Sequence, residues 1–120
     1  MGKFNSFEEI NSWQRARVLN QKIYFITESE TFKKDFDLAR QIRRCSVSIT
    51  SNIAEGFERN TDKEFSHFLF IAKGSAGEVR SQLYLALDLN YISQELFDEL
   101  FTEITEISKL LSGFIKYLNK

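Results

Sequence analysis

The residues able to do chemistry are few in this chain. Glu64-Phe65-Ser66-His67 supplies one Glu-x-x-His step, the spacing that lets both side chains project from one helical face toward a bundle di-iron centre. Such a centre needs that step on two helices and a further Glu on each of the others, and His67 is the single histidine. One Cys and one His cannot make a structural zinc site from Cys and His alone, and a lone Cys forms no internal disulfide. Cys45 sits between Ile42 and Ile49 on an apolar stripe, where a free thiol is a small buried hydrophobe; its neighbours Arg43 and Arg44 lower a thiol pKa only at an exposed site. Gly74-Ser75-Ala76-Gly77 matches the Gly-x-x-Gly of a backbone-clamping KH loop, yet it falls within a helical pattern. Mid-helix glycine costs about 1 kcal/mol relative to alanine, so Gly74 and Gly77 are expected to mark close helix packing. No phosphate-binding glycine fingerprint or Ser/His/Asp arrangement occurs. The expectation is therefore no catalytic residue, no cofactor and no metal, with an enzyme the least supported class.

Two polar features carry more information. Lys33, Lys34, Arg40, Arg43 and Arg44 cluster against only Asp35 and Asp37, whereas Glu95, Asp98, Glu99, Glu103 and Glu106 form a stretch without a cation. The basic stretch reads either as a complement to the acidic one, within the chain or between copies, or as a phosphate-contacting patch. Asn52, Glu55 and Glu78 lie beside apolar stripe positions, and Arg44 is within reach of one of these acids along its helix. Arg44, Asn52, Glu55 and Glu78 read as a structural hydrogen-bonded network fixing helix register, with a carboxylate site as the competing reading.

Helices must position all of these. The 120 residues are 42% hydrophobic and 28% charged, with a net charge of −1, 12 Phe and no proline. A chain of this size makes one domain, here residues 1–120, burying roughly two thirds of its unfolded surface. No apolar run approaches the ~20 residues of a membrane span, and the N-terminus lacks the apolar stretch of a signal peptide, so a cytoplasmic protein without membrane contact is expected. Apolar residues recur at helical spacing in four segments: about 6–28 after a capping box at Ser6 and Glu9, 36–59, 62–90 after a second box at Thr61 and Glu64, and 94–118 after Ser93. Val47-Ser48-Ile49-Thr50-Ser51 alternates like a strand but lies inside a longer period of 3.6. Short connections favour an all-α, antiparallel up-down-up-down four-helix bundle. Phe4, Trp13, Tyr24, Phe25, Phe32, Phe36, Phe70, Tyr84 and Phe101 cannot all lie on one central stripe per helix, so some are expected to face a partner, itself a copy of the chain.

Ile42-Arg43-Arg44-Cys45-Ser46-Val47-Ser48-Ile49-Thr50-Ser51-Asn52-Ile53-Ala54-Glu55-Gly56 resembles the signature of the 23S rRNA intervening-sequence proteins, also called four helix bundle proteins. Glu64-Phe65 with Phe68-Leu69, Ala72-Lys73-Gly74-Ser75, Glu78, Gln82-Leu83, Leu89-Asn90-Tyr91-Ile92 and Trp13-Gln14-Arg15-Ala16 extend the resemblance over nearly the whole chain. It implies a left-handed four-helix bundle assembling as a homopentamer in bacteria, sometimes encoded within inserts in rRNA genes. A related branch resembles the accessory protein of diversity-generating retroelements, a basic pentameric barrel that engages a reverse transcriptase and nucleic acid. The sequence departs from the family's habits in its mildly acidic balance and at Thr50, where proline is common. Threonine keeps the backbone donor that proline lacks, so the second helix is expected to run unbroken through Thr50. Taken together, these features predict a non-enzymatic homo-oligomer, with RNA or an RNA-associated protein such as a reverse transcriptase as partner through Lys33, Lys34, Arg40, Arg43 and Arg44. The alternative is a scaffold without nucleic-acid affinity.

Overall fold

The computed structural model describes residues 4–120 and contains four α-helices and, among these residues, no strand: α1 (Asn11–Thr27), α2 (Phe36–Phe57), α3 (Asp62–Asp88) and α4 (Gln94–Leu118). Two 3-10 turns, Phe7–Glu9 and Phe32–Lys34, precede α1 and α2.

Helix starts follow the local chemistry of the caps. Asp35, Thr61 and Ser93 each accept a hydrogen bond from the backbone N–H three residues on, at 3.1 Å in all three cases, satisfying one of the free donors of α2, α3 and α4. Thr61 also donates its hydroxyl to Glu64 Oε2 at 3.4 Å, so the second capping box closes side chain to side chain. The first box does not form. Ser6 makes no side-chain cap bond, and α1 begins at Asn11, five residues later than the sequence pattern placed the helix. The cause is Ile10: it adopts an extended backbone that turns its side chain into the core, leaving a 3-10 turn before it, while Gln14 reaches back to donate to the Glu8 carbonyl at 2.8 Å. At the far end of α3, Asn90 takes the left-handed conformation (φ 62°), with Tyr91 N–H donating to Ala86 O and Asn90 N–H to Leu87 O. This double bond pattern is a Schellman stop, and asparagine tolerates the conformation better than other non-glycine residues.

α2 continues through Thr50 without interruption, the Thr50 hydroxyl donating to the Val47 carbonyl at 2.8 Å. The alternating stretch around it is helix, and its serines serve the contacts between helices described below.

Each helix packs on its neighbours in sequence, and α1 also packs on α4, so the four surround one core. Matched pairs define the register. Asn20 meets Ser46 and Thr50 while Thr27 meets Arg43; Ser48 meets Ser75 while Cys45 meets Gln82; Ser66 meets Asn119 while Tyr84 meets Phe97. Ile23, Ile42, Ile49, Ile53, Leu69, Leu83, Leu100 and Ile104 are fully enclosed between them. Phe65 and Phe114 close one end edge to face at 5.1 Å, and Phe32 plugs the other against Tyr91 at 5.2 Å. Phe32 lies in a connection that reads as polar from its neighbours, yet it is completely buried. Burying one such ring contributes about 1.5–3 kcal/mol, enough to hold the turn before α2.

Candidate interaction surface

The five basic residues do not act as one patch. Arg43 Nε donates to Thr27 Oγ1 and its terminal nitrogen to Glu28 Oε2, both at 2.7 Å, while the guanidinium lies 4.5 Å over the Tyr24 ring. This side chain ties α2 to the end of α1. Lys33 pairs with Glu30 at 3.4 Å on the surface. Lys34, Arg40 and Arg44 are exposed and have no ion pair among the described residues. Arg40 stacks over Phe36 at 5.6 Å, and with Arg44, Gln41 and Asp37 it lines a shallow polar cleft on the outside of α2. Within the chain, the acids of α4 do not answer these cations. Lys22 of α1 takes Glu99, at 3.0 Å, and Glu103. α2 packs on α1 and α3 rather than on α4, which explains why the two oppositely charged stretches fail to meet.

The network expected from Arg44, Asn52, Glu55 and Glu78 does not assemble. Glu55 and Glu78 are exposed, and Glu55 pairs with Arg59 at 2.9 Å along the surface of α2. Carboxylates at these positions point away from the interior because their stripe positions lie at its edge. The polar contacts inside the bundle come from smaller side chains. Fully buried Ser46 donates to Asn20 Oδ1 at 2.6 Å, and Asn20 donates to Thr50 at 3.1 Å, pinning α1 to α2. Ser75 donates to Ser48 at 2.9 Å, pinning α2 to α3, while Asn52, one turn along α2, donates to the Ser48 carbonyl at 2.8 Å and to its hydroxyl. Neutral pairs of this kind fix register without the desolvation cost of a buried charge. The sequence signal that finds them is Ser46 and Ser75 standing among apolar stripe residues.

The glycines correct a second expectation. A Cβ on Gly74 or on Gly77 would meet nothing within 4 Å, so neither brings two helices of the chain together. Close approach occurs instead at Gly56, where a Cβ would lie 2.7 Å from Phe68 Cβ and 2.9 Å from Phe65 Cδ1. Near the end of α2 the chain must turn directly into α3, and a side chain there would wedge the two apart.

Cys45 is buried and its thiol pKa is raised, first by burial and then by the nearby Glu78 carboxylate; the Gln82 contact at 3.7 Å and Arg44 act the other way. Such a thiol is a poor nucleophile at neutral pH. His67 is exposed, edge-on to Phe68 at 5.7 Å, while Glu64 caps α3 and reaches Arg59 at 3.6 Å. Among the described residues, no three His, Cys, Asp or Glu side chains converge, and no helix is long and apolar enough to cross a membrane.

The surface is most unusual in its aromatic residues. Phe4, Trp13 and Phe101 pack partly buried against the core, and Phe32 lies within it. Tyr24, Phe25, Phe36, Phe70 and Tyr84 are exposed, Phe25 by 82% and Phe36 by 66%. Phe25 stands between two clefts. One, of about 530 Å³, is lined by Tyr24, Ile26, Tyr91, Ile92 and Leu96; the other, of about 300 Å³, lies toward Lys22, Leu96 and Glu99. A ring and an apolar cleft able to receive a ring are thus presented side by side on one face.

Comparison with known proteins places this geometry in context. The family model described as 23S rRNA-intervening sequence protein matches residues 8–113. Among solved structures, the chain is similar to a protein of unknown function from the S23 ribosomal protein family of Bacteroides thetaiotaomicron. That similarity has a TM-score of 0.81 and 30% sequence identity, covering 88% of this chain and 98% of the other. No curated protein matches the sequence.

Proposed function

The chain belongs to the 23S rRNA-intervening sequence protein family, and from that premise we propose that it is a non-enzymatic interaction protein, a single bundle domain that self-associates into a ring in the cytoplasm. The family resemblance gives the number of copies as five. In this reading the helices run up-down-up-down in a left-handed bundle; the register pairs, in which residue numbers rise on one helix as they fall on the next, support the alternation of direction.

The observation that carries the proposal is Phe25, 82% exposed and flanked by apolar clefts. Large contiguous apolar surface is rare on soluble monomers. An exposed ring beside an apolar cleft is a surface that a second copy can cover, and repetition of such a contact closes into a ring when it joins this patch to a different patch of the neighbouring copy. Sedimentation equilibrium at micromolar concentration tests this: the expected mass is about five times the 14.1 kDa chain, falling to one chain mass in Phe25→Asp with the helical circular-dichroism signal unchanged. A monomeric wild type overturns it.

A second reading, contact with RNA or an RNA-associated protein, is favoured by Arg40 and Arg44, exposed one turn apart on α2 and without an ion pair among the described residues, in a cleft that Asp37 also borders. Repetition around a ring multiplies a small basic patch, and clustered cations are rewarded by counterion release. Fluorescence anisotropy with a structured RNA at low salt should show binding that weakens with salt and is lost on charge reversal at both arginines. Binding indifferent to that reversal leaves the scaffold alone.

A further inference from the structure

A different part of the surface has the composition of an anion site. Between α3 and α4 lies a cleft of about 400 Å³ lined by Arg80 of α3 and by Thr105, Ser108, Lys109, Ser112 and Lys116 of α4. The α4 residues recur at steps of three and four, so they share one helical face. Gly113 also borders the cleft and leaves it open, since a Cβ there would meet nothing within 4 Å. Three cations and three hydroxyls therefore line the space, with no carboxylate among them. None of the three cations has an ion pair among the described residues.

Two groups at this cleft lack the partners that buried polar atoms ordinarily have. Arg80 Nε and Thr105 Oγ1 are both buried without a hydrogen bond. The Arg80 guanidinium lies 5.4 Å over the Phe101 ring, which positions its planar fork without consuming any of its donors. The charge arrangement of α4 adds to this: its acids end at Glu106, and residues 107–120 carry Lys109, Lys116 and Lys120 with no acid.

We propose that this cleft binds a phosphoryl group. Two or more oxygens of such a group can accept from the arginine fork while the hydroxyls and ammonium groups engage the rest, and its charge calls for more than one cation. A carboxylate, with two oxygens and one charge, would leave most of these donors unused. The proposal rests neither on self-association nor on the α2 arginines.

Isothermal titration of the full chain with inorganic phosphate at low ionic strength, against a matched chloride titration, tests it. Saturable phosphate binding is expected, about tenfold weaker in Lys109→Gln, lost in Arg80→Gln and unchanged in Lys63→Gln. Lys109 is exposed, so its variant decides the matter if Arg80→Gln fails to fold. A uridine oligoribonucleotide forms the second arm. Binding with the same dependence on Arg80 and Lys109 identifies a phosphodiester backbone as the source, whereas phosphate binding without it identifies a free phosphate or phosphate monoester. Phosphate heats equal to those of chloride, or the same affinity in Lys109→Gln as in wild type, overturn the proposal.

Discussion

Gly56 and Gly74 are both helical glycines, and alanine should affect them in opposite directions. Exchange to alanine in a helix interior gains about 1 kcal/mol from lower backbone entropy in the unfolded chain and better propensity. At Gly74 nothing opposes that gain, because the new methyl meets no atom within 4 Å. At Gly56 the methyl would fall 2.7 Å from Phe68 Cβ, an atom that cannot swing aside because it moves only with the α3 backbone. The Phe65 ring at 2.9 Å and its carbonyl at 3.3 Å block the alternative displacement. Overpacking of this kind costs about 1–3 kcal/mol. Set against the propensity gain, Gly56→Ala should fall between neutral and about 2 kcal/mol destabilised, and Gly74→Ala should stabilise by about 0.5–1 kcal/mol. Urea unfolding followed by circular dichroism, at one fixed chain concentration because association adds to apparent stability, measures both. A Gly56→Ala protein stabilised as much as Gly74→Ala would refute the packing argument. Destabilisation by Gly74→Ala would show that the open face of α3 is closely covered by another copy.

Thr50→Pro should remove the helical N–H at that position and disturb the Asn20 contact, costing about 3 kcal/mol and visible as a lowered thermal midpoint; an unchanged midpoint would mean α2 already tolerates a bend there. Tyr91 donates to Asp35 Oδ2 at 2.9 Å, the same carboxylate that caps α2, so Tyr91→Phe should lower the urea midpoint. That bond also raises the Tyr91 pKa above its ordinary value, and the Glu103 and Glu99 contacts raise that of Lys22. Groups with raised folded-state values stabilise fully below their unfolded pKa, near 10 for both, and lose that contribution as pH climbs through the folded values. The urea midpoint should therefore fall above about pH 10, less steeply in Tyr91→Phe. Cys45 should react with a thiol reagent far more slowly in the native protein than in urea; equal rates would contradict its burial.

Much of the fold was written in local patterns. The α4 bounds, Gln94–Leu118, coincide with its apolar period and Ser93 cap, and α2 and α3 begin where Asp35 and Thr61 supply an acceptor, because capping and amphipathic spacing act within one turn of chain. The aromatic excess likewise announced exposed rings. What the pattern could not say was which rings: Phe32, in a polar connection, is buried, while Phe25, on a helix, stands out. That assignment depends on which sides of α1 are covered by α2 and α4, a relation between segments far apart in sequence.

The same limit governs the candidate sites. A run of five cations is visible in one dimension, but Arg43 is spent on Glu28 and Thr27 only because α2 lies against the end of α1. Glycine spacing suggested close packing at Gly74 and Gly77, and the neighbour that makes a glycine necessary sits at Gly56. Arg80 and the hydroxyl-and-lysine face of α4 are separate, unremarkable strings in the sequence, joined into one cleft by the packing of α3 on α4. Sequence alone thus determined the four helices and the caps of α3 and α4, since these follow from side-chain type and spacing. Tertiary structure decided which polar and aromatic groups are consumed inside the bundle and which remain to bind, because burial and pairing are properties of surfaces that meet only when the chain folds.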